Sequence, residues 1–531
     1  MFHKLAHDIY KATLTKLAAL KRNVELREHQ QKSIDKLLAN DGHALIAHAT
    51  GTGKTLTGIA GFEKLKDIGK GTKALVVVPN GLRDNFKENL ERFTDSSYAI
   101  YGPRAEKSSK NVDDKSNADY NIVGYETFNR HKDELLNSIN PDTLIIDEVH
   151  RSRNNQTATF KNLHDASQAM KNVITLTGSV VNNEPADIVP LMDITFGSKP
   201  PIANKDQFNN NFVTKADRIH QGWFKPDIRG GKHIMHKDDL NYWIDKRVDY
   251  VPHSDVEEYM PSKHETIVKV PMSERQTQLY EYTLDALDPI VRKKIQNNIP
   301  MDQKEIGGLF KQLIRARQVS TDPTFMDPDN LEGMKKIDVS PKINKVMEDM
   351  KEHLNADKKN KVVVYGNLVQ HQLDSMSKAL DEAGINHSNF MGVGVNDMNA
   401  RDRQKSLNDF KKGKNRVLLL SAAGGEGLDL PDATMLQMLE GHYNPEKIQQ
   451  AEARVRRMSN NKIKDTKSVE IKKYLSVPNP SARSWLSKAF DFLTGKGMQE
   501  TGIDEWIYDI ATNKNSLNNE FRSVINEGRD K

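Results

Sequence analysis

His43-Ala-Leu-Ile-Ala-His-Ala-Thr-Gly-Thr-Gly-Lys-Thr55 is the stretch whose reading decides the fold. Ala44 to Ala47 are apolar and few enough for one buried strand, and Leu56 onward reads as a helix. Between them Gly51 and Gly53 permit a tight turn with its N–H groups facing inward, next to the positive end of the helix dipole. Such a cradle suits the phosphates of a nucleotide. Thr50, Gly51, Thr52 and Gly53 form its wall, Lys54 would neutralise the outer phosphates, and the Thr55 hydroxyl would ligand magnesium. His48 stands where loops of this pattern begin with Gly or Ala.

A chain of 531 residues exceeds one ordinary core and predicts several domains. Hydrophobic residues at 37% fit a soluble protein, and no apolar run is long enough to cross a bilayer. Met1-Phe-His-Lys-Leu-Ala-His-Asp8 lacks the continuous apolar core of a secretory signal, so the expected compartment is the cytoplasm, with a prokaryotic or phage-infected cell favoured and the nucleus expected in a eukaryote. The absence of cysteine excludes disulfides and thiolate metal sites. A net charge of +5 fits nucleic acid no better than it fits an ordinary solvated surface.

Upstream, Leu5, Ile9, Leu14, Leu17 and Leu20 among lysines predict an amphipathic helix. In Leu26-Arg-Glu-His-Gln-Gln31, Gln30 has the donor and acceptor to meet an adenine edge, although an exposed Gln on a helix is also ordinary. Downstream, Ala74 to Pro79 and Asn121 to Phe128 read as strands, and residues 102–120 as a polar surface loop. Thr143-Leu-Ile-Ile-Asp-Glu-Val-His150 ends an apolar strand on two carboxylates, where α/β sheets present ligands. Asp147 would hold magnesium, and Glu148 would orient or deprotonate the attacking water. Acidic pairs at such places also cap helices. Ile174 to Asn183 is a further strand and turn, whose hydroxyls either link the nucleotide to a bound strand or cap a helix.

In the second half, Lys361 to Tyr365 and Arg416 to Ser421 read as strands. Ala422-Ala-Gly-Gly-Glu-Gly-Leu-Asp-Leu430 offers glycines, Gly427 among them, for close approach to phosphates, with Asp429 as an acidic partner for nucleotide or ribose. Gln450, Arg454 and Arg457 fall on one helical face.

These segments resemble the ATPase core of superfamily-two helicases and translocases, in particular the Swi/Snf-type branch that depends on double-stranded DNA. Leu26 to Gln30 resembles the adenine-side motif, His48 to Thr55 the Walker A loop, and Asp147 to His150 the Walker B box, with Val149 for the usual Ala. Arg151-Ser-Arg-Asn154 and Leu176-Thr-Gly-Ser-Val-Val-Asn-Asn183 resemble branch-specific extensions. The loop lacks the branch's acidic Met-Gly-Leu version, and Arg456 stands where the branch carries His.

The resemblance implies an α/β fold of two RecA-like parallel-sheet lobes in tandem, with helical insertions. Residues 1–25 would be a helical extension and 26–272 the first lobe, with a helix-poor, basic insertion at about 200–255. Residues 273–339 would be a helical linker, 340–476 the second lobe and 477–531 a C-terminal helical brace. It implies that Arg454 and Arg457 are arginine fingers and that Gln450 faces ATP. It further implies Mg2+ as cofactor, double-stranded DNA as partner, contacts with replication, repair or transcription proteins, no membrane, and a monomeric motor. A strand-separating DNA or RNA helicase and an ATP-gated nucleic-acid clamp are the alternatives.

Overall fold

The computed structural model describes residues 20–21, 24–102, 109–110, 115–181, 184–197, 202, 204–214, 218–219, 228–229, 233–285, 287, 310–325, 340–366, 372–391, 400–421, 428, 430, 432–442, 445–456, 468–479 and 502–528. It divides into two compact units, residues 1–257 with 516–531, and residues 258–515.

The first unit is built on a sheet of eight strands: β1 (His43–His48), β2 (Ala74–Val78), β3 (Tyr98–Tyr101), β4 (Ser109–Lys110), β5 (Tyr120–Gly124), β6 (Thr143–Ile146), β7 (Asn172–Thr177) and, after the two-residue strands β8 (Arg218–Ile219) and β9 (Ile228–Arg229), β10 (Val248–Val251). Their order is β10-β1-β7-β6-β2-β5-β3-β4. Every neighbouring pair is parallel except β3 with β4. Parallel sheets covered on both faces carry continuous apolar strands. On β1, Ala44 and Ile46 enter one buried cluster while Leu45 and Ala47 enter the other.

Among the described residues the second unit has a sheet of six strands, β11 (Ser262–Pro271), β12 (Val362–Gly366), β13 (His387–Phe390), β14 (Val417–Ser421), β15 (Met435–Met438) and β16 (Ser468–Val477), in the order β11-β16-β15-β12-β14-β13. All its pairs are parallel. Val362 and Val364 face one cluster, Val363 and Tyr365 the other. The helix Pro341–Ala356 starts as its sequence requires, with the Ser340 hydroxyl accepting from the Ile343 N–H and Pro at the first position.

Several expectations need correction. The strand at residues 265–270 belongs with the second unit, because all ten residues of β11 pair with β16. The segment 200–255 is not helix-poor. It contains the helices Lys205–Phe212 and Lys237–Asp245 and ends in β10, which pairs with β1. Phe208, Trp243 and Ile244 are buried in the first unit's core, which supplies the apolar surface that the local composition lacks. Leu20 forms an antiparallel bridge to Thr94 rather than a helical turn. The rest of the expected N-terminal helix, residues 1–19, lies outside the described residues, as do Trp223 and Gly230-Gly231. The C-terminal helix runs from Ile503 to Gly528. Its early part lodges Trp506 and Asp504 in the second unit, and Phe521, Val524 and Ile525 join the first unit's core. Among the described residues no helix is long and apolar enough to cross a membrane.

Candidate functional site

Adjacency in the first sheet assembles the site. β1, β7 and β6 are consecutive and parallel, so the loops that follow them leave the same edge side by side. These loops carry residues 48–55, 177–181 and 147–150.

Gly51 and Gly53 have φ of +89° and +90°, a left-handed backbone that glycine adopts freely. The helix Lys54–Asp67 starts directly after Gly53. The loop is braced from below. The Thr52 hydroxyl donates to the Ala49 carbonyl at 2.7 Å, and His29 Nε2 donates to the Thr52 carbonyl at 3.2 Å. His48, fully buried, bonds to the Asp249 carboxylate and lies 3.2 Å from the Ser33 hydroxyl, with the His29 ring edge-on at 5.4 Å. The unusual first residue of the loop thus has a tertiary cause in β10.

Gln30 is buried, and its two polar ends are engaged within the chain. Oε1 accepts from the Arg27 N–H at 2.9 Å and Nε2 donates to the Gly53 carbonyl at 3.4 Å. In this structure it supports the loop. Thr50, Gly51 and Thr55 are half-buried, and Gly53 is exposed.

Lys54 and Asp147 are both nearly buried. Burial and the neighbouring Glu148 charge push the Asp147 carboxyl well above its usual range, against the attraction of Lys54. Burial also opposes ionisation of Glu148. There His150, Lys54 and the Gly178 N–H outweigh it and hold that carboxyl low. His150 Nδ1 lies 3.1 Å from the Glu148 carboxylate and 3.3 Å from the Thr177 hydroxyl, which ties the β6 loop to the β7 loop. Glu148 itself has φ +53°, a left-handed backbone costly for a side chain with a Cβ. The Tyr125 hydroxyl donates to the Asp147 carbonyl at 2.8 Å and helps to hold that turn.

Gly178 closes the third side. A Cβ there would stand 2.7 Å from Thr50 Oγ1 and 3.2 Å from Lys54 Nζ. A divalent cation fits this donor set. Two adjacent carboxylates, Asp147 and Glu148, face Lys54 here, and Mg2+ needs only one or two protein oxygens when phosphates and water supply the rest. The described residues contain no group of three or more His, Cys, Asp or Glu side chains placed to hold a metal ion.

In the second unit the helix Pro445–Val455 carries Gln450, half-buried, and Arg454, which is 8% exposed. The Arg454 carbonyl accepts from the Leu430 N–H at 3.0 Å, anchoring the helix to the end of the glycine segment. Gly427, Asp429 and Arg457 lie outside the described residues, as do Asn182 and Asn183. Sequence reasoning missed His29, Tyr125 and Asp249. Gly178 lay within a segment it singled out for its hydroxyls, and the signal there was the glycine between Thr177 and Ser179.

The SNF2-related domain model matches residues 27–325, and the helicase conserved C-terminal domain model matches residues 345–459. The chain is 26% identical over 352 residues to the DNA repair and recombination protein RAD54 of Saccharomyces cerevisiae, covering 63% of this chain and 37% of that one. It is 22% identical over 510 residues to a putative ATP-dependent RNA helicase, L538, of Acanthamoeba polyphaga mimivirus, covering 95% and 97%. Among solved structures, the SWI2/SNF2 ATPase core of Sulfolobus solfataricus in complex with dsDNA is 21% identical with a TM-score of 0.39, covering 94% of this chain and 97% of that one. The Hef helicase domain of Pyrococcus furiosus is 16% identical with a TM-score of 0.49, covering 90% and 100%.

Proposed function

The chain belongs to the SNF2-related domain family, and we propose that it is an ATP-driven translocase that moves along double-stranded DNA and remodels DNA or its protein complexes. The observation that carries this reading is the burial of Lys54 beside Asp147 and Glu148, beneath a loop turned by two left-handed glycines. Lys54 takes the outer phosphates. Thr55 and Asp147 would hold a magnesium ion, which would supply charge neutralisation on the phosphate oxygens. Glu148, kept ionised by its cationic surroundings, orients the attacking water and accepts its proton. Arg454 and Arg457 act as arginine fingers, a role worth about a thousandfold or more in rate. Grip on phosphates rather than bases makes the movement tolerant of sequence. The motor works as a monomer, with replication, repair or transcription assemblies as its targets.

The mimivirus relative, matched over nearly its whole length, is described as an RNA helicase, and this favours RNA as the second reading of the substrate. ATP turnover measured in parallel without polynucleotide and with single-stranded DNA, duplex DNA or RNA decides the matter. Duplex DNA is expected to stimulate most, and Lys54→Ala or Glu148→Gln to abolish turnover. Equal rates with and without every polynucleotide overturn the motor reading, and stimulation by RNA alone selects the second one.

A further inference from the structure

The helix Pro445–Val455 is fastened to the strands beneath it by a closed ring of four charges, all within the second unit. Lys263 and Glu265 come from β11, Lys473 from β16 and Glu452 from the helix. Lys263 Nζ lies 2.8 Å from Glu265 and 3.1 Å from Glu452, and Lys473 Nζ lies 2.6 Å from Glu265 and 2.9 Å from Glu452. Each carboxylate therefore uses both oxygens and each ammonium meets two carboxylates. The Lys473 and Glu452 side chains are each 11% exposed, against 27% for Glu265 and 36% for Lys263, so water screens the Lys473–Glu452 half of the ring less than a surface pair. Burial opposes the charge on both lysines, yet the carboxylates outweigh it and raise them. Burial likewise pushes Glu265 up, and the two lysines more than reverse it.

A second tie runs beside the ring. Arg456, nearly buried, donates from Nε to the Pro261 carbonyl at 2.9 Å. Arg456 is the residue that departs from the His of the Swi/Snf-type pattern, and neither it nor Glu452 has a role in the site described above. The chain crosses from the first unit to the second between Glu257 and Glu258, so Pro261, Lys263 and Glu265 belong to the segment by which it enters.

We propose that Glu452 and Arg456 are positioning residues, which lock the helix carrying Arg454 to the entering strand β11 so that the orientation of Arg454 is set by that strand. The proposal rests on reading Arg454 as an arginine finger. Glu452 and Arg456 touch no reacting atom in this scheme and act through the helix.

The test uses the full chain and the variants Glu452→Gln, Arg456→Gln and Glu452→Gln/Lys473→Gln. ATP kinetics with duplex DNA, Tm, and backbone hydrogen exchange over residues 447–455 are measured for each. Glu452→Gln and Arg456→Gln are expected to lower kcat by about tenfold, leave KM for ATP within about twofold, and speed exchange in the helix. The double variant leaves Lys263 and Glu265 as a balanced pair, so Tm recovers while kcat stays low. A ring that serves stability alone would recover both. Unchanged kcat together with unchanged exchange in both single variants overturns the proposal. Absence of ATP turnover in the unsubstituted chain is instead a failure of the functional reading, and exchange over 447–455 then decides the coupling by itself.

Discussion

His48, buried at the end of β1 where the phosphate loop begins, bonds through its imidazole Nε2 to the carboxylate of half-buried Asp249 on the adjacent parallel strand β10. Burial pushes the Asp249 carboxyl up, but His48, the Ser33 hydroxyl and Lys36 more than offset it and hold it below its ordinary range. A carboxyl lowered by folding contributes stability that is present above its unfolded value and lost as pH falls through the folded one. Asp249→Asn keeps the shape and removes the charge. It is expected to cost roughly 1–3 kcal/mol and to raise KM for ATP more than it lowers kcat, because the loop's first turn loses its anchor. Urea unfolding and steady-state kinetics check both parts.

His29 gives the same region a weakness toward acid. Burial above all, then the neighbouring His48, lower its imidazole from 6.5 to about 4, against the hydrogen bond to the Thr52 carbonyl. The unfolded chain therefore takes up a proton below about pH 6.5 that the folded chain refuses until about pH 4. Stability should fall as pH drops through that window, and His29→Gln, which retains a donor for Thr52, should flatten the fall. Tm measured at intervals from pH 7.5 to 4 tests this, and an equally steep fall in the variant would refute it.

The strands β1, β2, β6 and β7 and the three loops that carry the site were legible because their signals are local, whereas the strand expected over Asn121–Phe128 ends at Gly124 and Tyr125 starts a helix. Ala74–Val78 and Thr143–Ile146 are apolar throughout since both faces of a parallel sheet are covered, and glycine punctuates the phosphate loop within a few residues. β10 was not legible, since Asp249 and Tyr250 break its apolar run and find their environment only in tertiary contact with α/β neighbours far away in sequence. β11 was visible as a strand, but its sheet was not. Its burial is slight, and its partner β16 lies about two hundred residues on, so nothing in its alternation tells which sheet it joins. The donor and acceptor of Gln30 are legible in the sequence, but its partners within the chain, the Arg27 N–H and the Gly53 carbonyl, are set by a loop backbone that no local pattern reveals.

Gly178 is expected to tolerate no side chain. With an added Cβ 2.7 Å from Thr50 Oγ1 and 3.2 Å from Lys54 Nζ, Gly178→Ala displaces the lysine on which phosphate binding depends. The lysine must give by a few tenths of an ångström, so turnover is expected to fall by about a few-fold to tenfold. Thr50→Ala removes the closest obstructing atom, so the double variant should recover part of the loss. Strict additivity of the two substitutions in a double-mutant cycle would show that the clash is not the cause.

Tyr125 holds the strained turn at Glu148. Its hydroxyl donates to the Asp147 carbonyl at 2.8 Å, and Glu148 carries φ +53°. Tyr125→Phe keeps the buried ring and leaves that carbonyl without its donor, at a cost of roughly 1–3 kcal/mol. If the bond also fixes where the Glu148 carboxylate points, kcat falls while KM for ATP stays nearly constant. A variant with lowered Tm and unaltered kcat would confine Tyr125 to stability.

Lys342 and Asp504 make a different kind of prediction, because both are fully buried in the second unit and lie 2.6 Å apart. Asp504 also accepts from the Ser320 hydroxyl and the Ser476 N–H, each at 3.0 Å, while Lys342 donates to the Leu439 carbonyl at 3.0 Å. The pair thereby joins the start of the C-terminal helix to the helix Pro341–Ala356 and to β16. Lys342→Met leaves an uncompensated carboxylate in a dry site, for which roughly 3–5 kcal/mol of destabilisation is expected. Asp504→Asn leaves a buried ammonium and should be similarly harmful. Removing both charges with Lys342→Met/Asp504→Leu should be milder than either single change, since the desolvation cost of two ions disappears along with their attraction. Calorimetric unfolding of the three variants measures this directly. A double variant as unstable as the sum of the singles would mean that the other hydrogen bonds of Asp504, rather than its charge, hold the helix in place.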